Sequence, residues 1–301
     1  MQGIQTVHEE DEKKRLSKWP LAAIITALAT LAAVAALVGL YAPSVPDKPF
    51  SADDVDAGSV VELNGTEYGG KALSWRVLEK EGSKVLLITE EIVDFYEYNE
   101  MSEKQIKMFA DMDEDIAFLG FFGDTPFSRE FAVTWEECSI RAWLNDVFIS
   151  SFDSSVVEKI CETCVKNDDN PEYGTDGGRD TVDKVFLLSI EEAQRYFESD
   201  TARIAKWYPS QDQLKDAGER FAMQAAQQGN FTVYASEFGE VFTNYLHETD
   251  NAFRWGLRSP GRYAYDAAFV DTEGDISSIP YIDLQMTGVR PAIWLETGAG
   301  Q

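Results

Sequence analysis

Cysteine and histidine are scarce in this chain, with three of the first and two of the second among 301 residues. Cys138, Cys161 and Cys164 are too few for a disulfide scaffold. His247 is the only imidazole beyond His8, which removes most metal and triad chemistry at once. No Gly-x-Ser-x-Gly elbow precedes it, and no phosphate loop or dinucleotide fingerprint occurs. Bases are short as well: 26 Lys and Arg face 53 Asp and Glu, a net charge of −27. Residues 1–20 are balanced, so the whole excess falls on the rest of the chain. Such a surface repels nucleic acid and anionic headgroups, favours cations or basic partners, and keeps a domain soluble. No catalytic residue, metal or cofactor is assigned.

Two patterns resemble sites and fail on spacing or placement. Asp111-Met112-Asp113-Glu114-Asp115 begins like an EF-hand loop, but Ile116 stands where a glycine is needed and Phe122 where a bidentate glutamate is needed. Looser calcium binding by Asp168, Asp169 or Asp176 stays open beside the reading as a solvated loop. In Cys161-Glu162-Thr163-Cys164 a redox pair wants its first sulfur at a helix N-terminus. Here the pair falls at the end of an expected helix, which favours structural thiols or a local disulfide.

What the sequence does hold is an uncharged apolar run over 21–42. As a helix it covers roughly 33 Å, about one hydrocarbon core. Lys13, Lys14, Arg15 and Lys18 precede it and Asp47, Asp53, Asp54 and Asp56 follow. The positive-inside bias then predicts a cytoplasmic N-terminus and an extracytoplasmic C-terminal part. A cleaved signal peptide fits less well: its apolar region is about 7–15 residues, and Leu40 and Pro43 flank the cut poorly. The expected organisation is a cytoplasmic tail over 1–18, a transmembrane signal-anchor helix over 19–42, and an extended stalk over 43–56 containing Pro43, Pro46 and Pro49. One extracytoplasmic α+β domain over 57–297 follows. The expected localisation is single-pass, in a cell membrane.

With 44% hydrophobic and 12% aromatic residues, the outer part can bury a core. Strands are predicted over 59–63, 73–78 and 84–89, with a turn at Asn64-Gly65 and a hairpin around Glu79–Ser83. A helix is placed near 102–110. Thr134-Trp135-Glu136-Glu137 and Ser189-Ile190-Glu191-Glu192 read as capping boxes opening helices. Asp153 opens another, and a further helix spans about 210–227. A strand at 184–188 and short strands at 231–236, 253–258, 263–270 and 287–295 complete the pattern. Strands at both ends with helices between predict one mixed, mainly antiparallel sheet with inserted helices, its first and last strands paired.

Two C-terminal stretches set arginines among aromatics and tight turns: Arg254-Trp255-Gly256-Leu257-Arg258-Ser259-Pro260-Gly261 and Gly288-Val289-Arg290-Pro291-Ala292-Ile293-Trp294-Leu295. In so acidic a protein such guanidiniums are expected to sit against buried carboxylates, with Asp183 the preferred partner of Arg258 and Arg290. The alternative is a binding site built from Trp255, Arg258, Trp143 and Asn145.

Five motifs come in a recognisable order: Trp-Arg-Val-Leu at 75–78, Thr-Trp-x-x-Cys-x-Ile-Arg-x-Trp-Leu-Asn at 134–145, Thr-x-Asp-Lys-Val-Phe-Leu-Leu-Ser at 181–189, Leu-Arg-Ser-Pro-Gly at 257–261 and Gly-Val-Arg-Pro-Ala-x-Trp-Leu at 288–295. Over roughly 58–296 the chain resembles an uncharacterised bacterial domain family found in secreted and membrane-anchored proteins. That family has no established activity, so no catalytic residue is carried over. The Gly-Val-Arg-Pro strand is also distantly similar to formylglycine-generating enzymes and their C-type-lectin-like fold. The C-terminal cysteine pair of those oxidases and the lectin calcium signatures are absent. The expected function is a non-catalytic binding module for a surface glycan or protein. A carboxylate-based hydrolase of envelope polymers and a purely structural surface module remain as alternatives.

Overall fold

The computed structural model describes residues 50–110, 129–227, 246–279 and 286–297. Its strands in chain order are β1 (Val60–Tyr68), β2 (Lys71–Glu81), β3 (Lys84–Thr89), β4 (Asp94–Glu97), β5 (Thr163–Val165), β6 (Thr181–Asp183) and β7 (Val185–Phe186). They continue with β8 (Ala205–Lys206), β9 (Ala252–Phe253), β10 (Trp255–Pro260), β11 (Ala267–Val270), β12 (Ile276–Ser277), β13 (Met286–Val289) and β14 (Ala292–Glu296). One five-stranded sheet has the order β1-β2-β3-β14-β7, and a second has β12-β11-β10-β13-β4. Two small ribbons, β5-β6 and β8-β9, stand beside them.

The chain passes between the large sheets at two adjacent places. After β3 it steps across at Glu90–Val93 into β4, and after β13 it steps back at Arg290-Pro291 into β14. Pro291 has no N–H to offer a ladder, so pairing must break there. Val93 N donates to Val289 O at 2.9 Å and Thr89 N to Pro291 O at 3.0 Å, which binds the two crossings together. Next to them β13 runs parallel to β10, with Trp255 opposite Gly288. A Cβ at Gly288 would lie 2.8 Å from the Arg254 carbonyl oxygen, so only glycine permits this approach.

Trp75, Val77, Leu87 and Ile88 of the first sheet are fully buried, as are Trp255, Leu257, Val270 and Val289 of the second. At 150–250 Å² of surface each, Trp75 and Trp255 contribute on the order of 4–6 kcal/mol apiece to burial. Short helices over Glu103–Ala110, Ser139–Trp143, Ser154–Val157, Ile190–Tyr196 and Asp200–Arg203 and a long one over Gln211–Gln227 stand beside the sheets.

The expected fold class is corrected. The domain has two five-stranded sheets, not one, and few helices. The last strand pairs with β3 and β7, and not with β1. The physical reason is the pair of crossings, which strand periodicity along the chain does not register. Asn64-Gly65 does not end a strand: it is a bulge inside β1, with Gly65 at φ +83° and the register shifting between Glu62 and Glu67. Thr134–Glu137 forms a turn, and the helix after it begins at Ser139 without a side-chain cap. Ser189 and Glu192 do form the predicted capping box.

The membrane reading is corrected as well. Among the described residues no helix is long and apolar enough to cross a membrane, so the transmembrane signal-anchor and the single-pass localisation are not supported. An apolar run states what a helix could span, not that it spans it. Residues 19–42 themselves lie outside the described residues, as do the tail over 1–18, the acidic run Asp111–Asp115 and the strand expected at 231–236. Residues 50–56, expected as the end of the stalk, lie against the domain. Ala52 N donates to Thr297 Oγ1, and Lys80 Nζ donates to the carbonyls of Ala52 and Val55.

Candidate functional site

The residues expected to bind a ligand are mostly part of the frame. Trp255 is buried, with its Nε1 donating to Arg203 O at 2.9 Å. Trp143 is buried and stacks on Tyr96 at 5.0 Å. Asn145 is fully engaged by backbone: Nδ2 donates to Arg141 O and Val185 O, and Oδ1 accepts from Lys184 N and Val185 N. It fastens the helix Ser139–Trp143 to β7. Arg258 is buried and holds Glu192 with two nitrogens, while its Nη1 also reaches Leu187 O and its Nη2 reaches Lys166 O.

Asp183 is therefore not the partner of Arg258. Its carboxylate accepts from Arg141 Nε at 2.7 Å, Trp135 Nε1 at 3.0 Å and Thr181 Oγ1 at 2.6 Å. Nor does Arg290 have a carboxylate within pairing distance among the described residues. Its guanidinium packs over Trp255 at 4.8 Å and Phe197 at 5.5 Å, and Nε donates to Thr89 O at 3.0 Å. The reason is topological: Arg290 sits at the crossing between the sheets, where backbone and rings surround it. Asn145 and Asp183 do share an open depression with Arg141, Asp146, Glu162 and Lys184, but their own polar atoms are saturated there.

A second concavity lies elsewhere. A narrow cleft, with a free volume of only about 20 Å³, opens between the start of β2, the first crossing and the loop before the helix Gln211–Gln227. Tyr68, Trp207 and Tyr208 supply its aromatic walls, and Lys71, Glu91 and Gln213 its polar ones. Each is held by local chemistry. Ser210 and Gln213 form reciprocal bonds, Ser210 N to Gln213 Oε1 and Gln213 N to Ser210 Oγ, which start the helix. Gln213 Nε2 then reaches Val93 O at 3.1 Å and pins the helix to the crossing. Tyr68 donates to Asp94 Oδ2 at 2.6 Å, and Arg220 meets the other oxygen at 2.6 Å. Burial first, and then the Asp94 charge, push the Tyr68 hydroxyl far above its usual range, so it stays a donor. Trp207 is buried, whereas Tyr208 is 46% exposed at the mouth. Lys71 pairs with Glu91 and lies 5.6 Å over the Tyr208 ring.

Among the described residues no three His, Cys, Asp or Glu side chains are grouped as metal ligands. All three cysteines are free thiols: Cys138 is buried, Cys161 half-buried and Cys164 exposed. None of the cleft residues was singled out by sequence reasoning. The available signals were the aromatic pair Trp207-Tyr208 and the Ser-x-x-Gln cap at 210–213.

A family model matches residues 82–297, most of the chain, and is described as a domain of unknown function (DUF6273). The chain belongs to this family. The DUF6273 region begins within the β2–β3 hairpin, at Gly82, and runs through β14 to Thr297, so it takes in both crossings, Trp207, Tyr208 and Gln213. Tyr68 and Lys71 precede the matched region. No curated protein and no solved structure matches the chain.

Proposed function

We propose that this DUF6273 domain is a non-catalytic binding module, with the Tyr68–Trp207–Tyr208 cleft as the place where a glycan or a protein segment seats. One observation carries the reading: a half-exposed tyrosine ring stands at the mouth of an aromatic-walled cleft whose polar groups converge from three separate segments. Rings combined with a few placed polar groups are a usual lining of ligand sites. A ring face offers stacking area at little entropic cost, and Lys71, Glu91 and Gln213 offer direction.

The hydrolase alternative needs two carboxylates across a substrate, one of them held protonated. The carboxyls that burial raises, Glu97 to about 7 and Asp266 to about 8, do not line the cleft. Glu91 does, but it is tied to Lys71. A glycan and peptide array probed with the wild-type chain and with Tyr208→Ala tests the proposal. Binding that disappears in the variant supports it. Binding unaffected by the substitution moves the site away from this cleft.

A further inference from the structure

The open depression beside β6 has a free volume of about 440 Å³, room enough to seat a small molecule. One of its walls is helical: Arg141 and Ala142 recur four positions on as Asn145 and Asp146, so the four share a face. The other wall is the β5–β6 ribbon. Val182 and Lys184 lie two positions apart on one face of it. Thr163 pairs with Asp183, which sets Glu162 across from Lys184.

Asn145 and Asp183 are saturated, but the charges around them are not. Among the described residues Lys184 Nζ reaches only the Val157 carbonyl, at 3.2 Å, and no carboxylate pairs with it. Lys184 is half-buried, whereas the other described lysines without a carboxylate, Lys84, Lys107 and Lys159, are exposed. Arg141 is fixed by Asp183 Oδ1 through Nε and by the Glu136 carbonyl through Nη1, which leaves Nη2 without a protein acceptor among the described residues. Asp146 and Glu162 are exposed, and there their carboxylates have no partner either. Ala142 and Val182, the latter 63% exposed, add apolar surface. The depression therefore presents both signs of charge beside two small apolar side chains. A simple anion would meet Asp146 and Glu162, and a simple cation would meet Lys184 and Arg141. Only a ligand carrying both charges finds a partner for each.

We infer that this depression binds an amino-acid zwitterion with an aliphatic side chain, either a free amino acid or the two charged ends of a dipeptide. The carboxylate is met by Lys184 and Arg141 Nη2, the ammonium by Asp146 and Glu162, and the side chain by Ala142 and Val182. An arginine already held by a buried carboxylate suits this role, because its planar fork is ordered before the ligand arrives. The site is separate from the Tyr68–Trp207–Tyr208 cleft and stands or falls independently of it.

The test titrates the full chain, by ligand-observed NMR, with valine and leucine and with analogues that lack one charge. Isobutylamine and isoamylamine lack the carboxylate; 3-methylbutanoate and 4-methylpentanoate lack the ammonium. The dipeptide Val-Leu separates the two sources of the zwitterion, since its charges lie further apart than those of either amino acid. At least one zwitterion should bind about tenfold more tightly than its single-charge analogues. Lys184→Gln should reduce that zwitterion to the affinity of the amine while leaving the amine itself unchanged. The double variant Asp146→Asn, Glu162→Gln, at two exposed positions, should reduce it to the affinity of the acid. A purely structural role for these side chains would not produce that crossed pattern. If Lys184→Gln fails to fold, the double variant decides. Equal binding of zwitterion and either analogue, or undiminished zwitterion binding in the double variant, overturns the inference. So does the absence of binding by both amino acids and the dipeptide.

Discussion

Glu192 and Arg258 lie 66 positions apart and share one carboxylate between two tasks. Glu192 Oε2 accepts from the Ser189 backbone N–H at 2.9 Å, closing the capping box, and the same oxygen receives Arg258 Nη1. The other oxygen takes Arg258 Nη2 at 2.9 Å. A local helix start is thereby fastened to the buried strand β10, and Arg258 N donates to Leu188 O beside it.

Breaking this pair from either side should be costly. Arg258→Ala leaves Glu192 facing a desolvated gap, and Glu192→Ala leaves a buried guanidinium. Each is expected to lose on the order of 3–5 kcal/mol, or roughly 6–20 °C in Tm. Arg258→Lys should also fall well below wild type, because a lysine cannot reach both oxygens and two carbonyls with one planar fork. Thermal melts of the three variants check this. A wild-type Tm for Arg258→Ala would show the pair to be dispensable.

Arg290 should behave differently, since it has rings where Arg258 has a carboxylate. Replacing an uncompensated buried charge with an apolar side chain of similar length removes a desolvation cost and keeps the packing on Trp255 and Phe197. Arg290→Met is therefore expected to melt at or above the wild-type temperature. A fall comparable to that of Arg258→Ala would mean that the ring contacts and the Thr89 carbonyl outweigh the cost of burial.

Asp266 and Glu97 make stability depend on pH. Burial is the main cause in both, raising Asp266 to about 8 and Glu97 to about 7, with Glu100 adding to the latter. Ordinary unfolded values are near 4. A folded pKa above the unfolded one means that the fold favours the protonated form, so this contribution is whole below about pH 4 and is lost as pH rises towards 7–8. Asp266→Asn mimics the protonated carboxyl. Melts between pH 5 and 8 should show a flatter profile for the variant, with its advantage over wild type growing as pH rises. Parallel profiles would place the Asp266 carboxylate in water.

The thiols should separate by reactivity. Cys164 is exposed, whereas Cys138 is buried and its pKa is pushed up to about 12 by burial. Iodoacetamide at neutral pH is expected to label Cys164 readily and Cys138 only after unfolding, as peptide mass mapping would record. Replacing Cys161 and Cys164 together by serine should leave ligand binding intact and lower Tm by at most a few degrees. Loss of binding with an intact fold would assign the pair a functional role.

Local physics settled much of this protein before any contact was known. The β2–β3 hairpin follows from two apolar runs and Gly82, which adopts φ +60° in the turn. The Ser189–Glu192 cap follows from side chains three residues apart, and the scarcity of histidine follows from counting. The tertiary structure decided the rest. Asn64-Gly65 became a bulge because Asp153 packs against Gly65, with Asp153 N donating to Gly65 O. Asp183 went to Arg141 and Arg258 to Glu192 because guanidiniums choose among carboxylates by position in space, which sequence spacing beyond one helical turn does not encode. The cleft draws Tyr68 and Lys71, Thr89 and Glu91, and Trp207 to Gln213 from three distant segments. No local pattern announces such a site, because its residues become neighbours only once the chain has crossed twice between its sheets.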